Sequence, residues 1–151
     1  MQEEVVHALR AKRAQIHAQW ETLLRTERVT SPMANPDTLV YLIDSTLEDL
    51  FSGLHQLSAK HRSPRSAAEC PCGRNPLLAY FHAGEQVMLE ALILIQASTP
   101  HLLAPQRDAA MAALLSVIRT LAAREINAFC AVCQHRLGTT EVAAPTRPPA
   151  H

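Results

Sequence analysis

Glycine is scarce in this chain, at four residues in 151, and aromatic side chains make up only 4%. No glycine-rich phosphate loop, nucleophile elbow or His-Glu-x-x-His can be found. Few rings are present for stacking bases or sugars. Neither sign of charge dominates: fourteen basic and fourteen acidic residues cancel. Generic electrostatic capture of nucleic acid is therefore not expected. Long apolar runs are missing too. The longest, Ala91–Ile95 and Ala109–Leu115, are far too short to span a bilayer. Met1 leads directly into Gln2-Glu3-Glu4, with no apolar signal region. These absences together predict a cytosolic protein without membrane attachment. In that compartment thiols stay reduced.

What is present is rich in Ala, Leu, Gln, Glu and Arg, a mixture that favours helix. Val6, Leu9, Ile16, Trp20 and Leu23 recur at helical spacing, with Arg13 interrupting, and predict a first helix over about Glu3 to Arg25. Asn35-Pro36-Asp37 reads as cap, first helical residue and dipole-matched acid. The stripe Val40, Ile43, Leu47, Leu50, Leu54, Leu57 follows, and Pro64 should end that second helix near Arg62. Asn75-Pro76 repeats the start signal. Leu77, Phe81, Met88, Leu92 and Ile95 then mark a third helix, and Leu89, Ile93 and Leu94 widen its apolar surface. A helix apolar over so much of its circumference is central or covered by a second copy. A fourth helix is predicted from about Pro105 to Arg136, closed by Gly138. The Pro-rich residues 139–151 show no period and read as a disordered tail after a single domain over 1–138. Loops of modest length predict an all-α, antiparallel up-down-up-down four-helix bundle, with a cysteine-bearing loop before the third helix.

All four cysteines fall in two pairs, Cys70-Pro71-Cys72-Gly73 and Cys130-Ala131-Val132-Cys133. If the third and fourth helices are antiparallel, the start of one lies beside the end of the other, and the pairs meet. Cys130 and Cys133 share a helix face at i, i+3. Gly73 lets the loop turn so that the sulfurs of Cys70 and Cys72 converge. Four thiolates make a closed, structural zinc site. Zinc is preferred here over an iron–sulfur cluster or Cu(I). His61 could stand in for one thiolate, because it continues the stripe of the second helix. His7 is expected at the same end, whereas His135 should face away.

Two other readings compete. The same four cysteines could act as a thiol-based redox or metal sensor, with Arg62, Arg65, Arg74 and Arg136 nearby. A helical ligand-binding or metal-dependent enzyme is the third, using Glu85 and His82. Against it, the Glu-x-x-His pairs of di-iron bundles are missing, and the simplest role for Glu85 is pairing with an arginine. Cys130-Ala131-Val132-Cys133 resembles one element of helical bundles that store Cu(I). Those bundles carry many cysteines along several helices, and nothing is carried over from them. The preferred expectation is a non-enzymatic regulatory or interaction protein, stabilised by zinc and homodimeric through the third helix.

Overall fold

The computed structural model describes residues 1–26, 35–56, 70 and 73–133. Among these residues the structure is all-α, with six helical segments and no strand. The segments are α1 (Glu3–Ala11), α2 (Arg13–Thr26), α3 (Pro36–Val40), α4 (Ile43–Gln56), α5 (Pro76–Ala97) and α6 (Ala104–Val132). They form four limbs, because α1 with α2 and α3 with α4 are each one predicted helix divided by a tight turn. Lys12 N–H donates to Leu9 O at 3.0 Å, and Leu42 N–H donates to Leu39 O at 3.0 Å. At the first break Arg13 leaves the apolar stripe and pairs with Asp44 and Glu48. At the second the buried face moves, so that Leu39 is buried and Val40 only half-buried.

Both Asn-Pro start signals operate as caps. Asn35 Oδ1 accepts from Asp37 N–H at 3.0 Å, and Asn75 Oδ1 accepts from Leu77 N–H at 3.0 Å. The start of α6 is closed differently: Gln106 Oε1 accepts from Leu103 N–H at 2.9 Å. The predicted stripes line one core. Leu9, Ile16 and Trp20, then Ile43, Leu47, Leu50 and Leu54, then Met88, Leu92, Leu114 and Ile118 are all buried.

Cross-limb contacts settle the direction of each helix. Arg25 pairs with Asp37 at 2.6 Å, and the Arg10 guanidinium lies 5.4 Å from the Phe51 ring centre, so the first two limbs are antiparallel. Trp20 meets Tyr80, and Glu4 meets His101 at 3.3 Å, so α5 also runs against the first limb. Glu85 pairs with Arg119, and Gln96 Nε2 donates to Arg107 O, making α5 and α6 antiparallel. Asp49 pairs with Arg124 at 2.9 Å, while Gly53 faces Val117, making α4 and α6 antiparallel. The second limb and α5 therefore run the same way. The expected up-down-up-down order is wrong: the limbs run up, down, down, up.

The centre of the core is a three-limb junction. Trp20 is fully buried, and its indole N–H donates to Tyr80 O at 3.0 Å. The Tyr80 hydroxyl donates to Thr46 Oγ1 at 2.8 Å. The Trp20 and Tyr80 rings stand 4.9 Å apart, and Tyr80 meets Phe81 edge-on at 5.1 Å. Trp20 can sit so low on α5 because Gly84 has no side chain: a Cβ there would fall 2.2 Å from Trp20 Cζ2. α5 is also long and apolar enough to cross a membrane, with a mean hydropathy of 1.3 over 18 residues, and half of that stretch is buried within the molecule.

Two outcomes follow from this junction. Alanine at a helix-interior glycine ordinarily stabilises by up to about 1 kcal/mol. Gly84→Ala should instead destabilise by about 2–3 kcal/mol, because overpacking displaces Trp20, as urea unfolding followed by Trp fluorescence will report. Burial pushes the Tyr80 phenol well above its ordinary value, and the hydrogen bond to Thr46 offsets only part of that. The stability associated with neutral Tyr80 is complete below the ordinary tyrosine value of 10.0 and falls as pH rises above it, because the unfolded chain ionises first. In a Tyr41→Phe variant, tyrosinate absorbance should therefore appear only together with loss of the helical circular dichroism signal.

Candidate metal centre

The start of α5 and the end of α6 meet because those helices are antiparallel. Cys70 lies outside any helix, ahead of α5, and is half-buried. Gly73 adopts a left-handed φ of 62° and donates its N–H to Cys70 O at 3.0 Å, which turns the chain toward Asn75. Glycine is the residue that accepts this φ without strain.

Cys130 is buried in the last turns of α6, at 8% exposure. α6 ends at Val132, and Cys133 leaves it in extended conformation with φ −73° and ψ 119°. The fourth helix thus stops before the predicted Arg136. Its last donated bond is Cys133 N–H to Cys130 O at 3.4 Å. Cys133, at the C-cap position, is half-buried.

The three described thiols share one neighbourhood. Burial pushes the Cys130 thiol up. The Asn75 amide donates to its sulfur at 3.4 Å and acts in the opposite direction. A hydrogen bond with Cys70, and the charges that Cys70 and Cys133 would carry as thiolates, push it up further. A neutral thiol is a poor nucleophile, whereas a bound cation deprotonates a coordinating thiol.

Asn75 binds the two elements together. Its amide nitrogen donates to Ile126 O at 3.2 Å as well as to Cys130, from a side chain only 4% exposed. The sequence marks Asn75 as a helix cap alone. Nothing in the local pattern signals its contact with a helix so distant along the chain.

The remaining predicted residues divide. Cys72 and His61 lie outside the described residues, as do His135 and the 139–151 tail. The described part of α4 runs away from the cysteine end, so the stripe of the second helix does not lead toward it as expected for His61. His7 lies in α1 near Glu4, which pairs with His101 at the far end, and is exposed. Its expected position beside the cysteines is therefore incorrect. Among the described residues no three His, Cys, Asp or Glu side chains form a metal-holding set. Glu85 receives both Arg119 Nε, at 3.0 Å, and Arg119 Nη2, at 2.8 Å, as the simplest reading anticipated. His82 is exposed, and Gln86 bonds Glu90 on the same solvated side.

No family model, curated protein or solved structure matches this chain.

Replacing Asn75 by Ala removes the α5 cap and both buried donations at once. The expected cost is about 2 kcal/mol, against about 1 kcal/mol for an ordinary lost cap, measured by urea unfolding of metal-free, reduced protein.

Proposed function

We propose that this chain is a non-enzymatic regulatory or interaction protein of the cytosol. In this reading its four limbs form a four-helix bundle, clamped at one end by structural zinc bound to Cys70, Cys72, Cys130 and Cys133. The observation that carries this reading is the hydrogen bond between Cys70 and Cys130, from segments far apart in sequence, with Cys133 three residues beyond Cys130. Cys72, two positions from Cys70, supplies the fourth thiolate. The composition supports it as well, since these are the only four cysteines. Zinc accepts four thiolates in a closed tetrahedron and leaves no position open for substrate. Metal that binds only the folded chain adds its binding energy to folding. The clamp would join the segment ahead of α5 to the end of α6.

The exposed side of α5 supports a second element of the reading. Ile93 and Leu94 are each about half exposed, at 52% and 51%. In the proposed homodimer a second copy covers them.

Elemental analysis of protein purified without added metal tests the clamp. The expected result is about one zinc per chain, with Cys130→Ser losing the metal and about 4 kcal/mol or more of stability. Metal-free protein whose thiols oxidise pairwise and reversibly would replace this reading with the redox sensor. Zinc should also be released as pH falls, because protons compete for the thiolates. Light scattering at micromolar concentration should give a dimer mass, and Leu94→Glu should convert it to a monomer without loss of helix content.

A further inference from the structure

Asn75 does more than its cap requires. Capping α5 uses only the side-chain oxygen, which accepts from Leu77 N–H, and Asp or Ser serves that purpose equally. The amide nitrogen is committed elsewhere, to Ile126 O at 3.2 Å and Cys130 Sγ at 3.4 Å. In an α-helix the carbonyl of residue 126 is the one that residue 130 meets one turn later. The same amide thus touches both ends of a single turn of α6, and it fixes the Cys130 sulfur relative to the helix backbone. It does so from a side chain shielded from water. The Asn75 side chain is therefore in the place of an outer partner to a metal ligand. Such partners orient the ligand and tune its charge. An N–H donor also favours the charged form of the sulfur, which is the form that binds metal.

Building on the zinc site proposed above, we infer that Asn75 is the positioning residue of that centre. Its amide holds Cys130 Sγ in place as a thiolate ligand, and its oxygen ties that ligand to the start of α5. Cap and clamp are then one side chain, and the α5 N-terminus and the metal are set in a single register.

Asn75→Ser is the deciding variant, because serine keeps a capping oxygen and lacks the amide donor. The full chain should bind zinc about 10–100-fold more weakly in competition with a chromophoric chelator. Its metal-free stability should fall less than that of Asn75→Ala. In the cobalt-substituted protein the sulfur-to-metal charge-transfer band should shift, a change that lost packing alone would not produce. Asn75→Asp, which also caps without donating, should show the same shift. Wild-type zinc affinity and an unshifted band in both variants would overturn the role of Asn75 and leave the zinc site standing. Failure of the wild-type chain to take up either zinc or cobalt would instead overturn the metal site itself, and this inference with it.

Discussion

The indole of Trp20, seated on Gly84, is the contact on which the rest of the core depends. It brings the first limb so close to α5 that a single methyl group would not fit between them. From that position the indole N–H reaches the Tyr80 carbonyl, and the Tyr80 ring is held so that its hydroxyl meets Thr46 of α4. Three limbs are therefore joined through two buried hydrogen bonds and one ring contact. Polar groups in such a place stabilise only when all are satisfied. Here no buried side-chain nitrogen or oxygen among the described residues lacks a partner. Removing any one member leaves the others unpaired in a dry environment, which is why this junction governs stability more than the exposed ion pairs around it.

The cysteine end relies on a different constraint, the antiparallel pairing of α5 and α6. Glu85 with Arg119, Gln96 with the Arg107 carbonyl and Asn75 with the Ile126 carbonyl hold those two helices in register from end to end. Their register is what brings Cys70 and Cys130 together. The site is consequently insensitive to how the second limb is arranged. The limb order expected from the sequence put His7 at the wrong end, while Cys70 still meets Cys130.

Local chemistry was legible where it depends on neighbours in sequence. Asn35-Pro36 and Asn75-Pro76 announced two helix starts, because a capping oxygen and a fixed proline φ act within a few residues. The apolar stripes identified the core, because period 3.6 is a property of one helix. The breaks at Lys12 and at Tyr41-Leu42 were missed, since neither contains glycine or proline. The direction of α5 relative to α4 was missed for another reason. Loops of modest length imply antiparallel neighbours, and no pattern within either helix encodes their relative direction.

The sequence by itself determined that the molecule is helical, where its helices begin, which faces are buried and that its four cysteines fall in two pairs. Those properties follow from residue type and spacing along one chain segment. Tertiary structure alone decided the limb order, the depth of Trp20 over Gly84 and the second role of Asn75. Each of these joins groups from separate helices at distances of a few ångströms. No periodicity within a single helix encodes such a distance, because it is set by how closely two surfaces can approach.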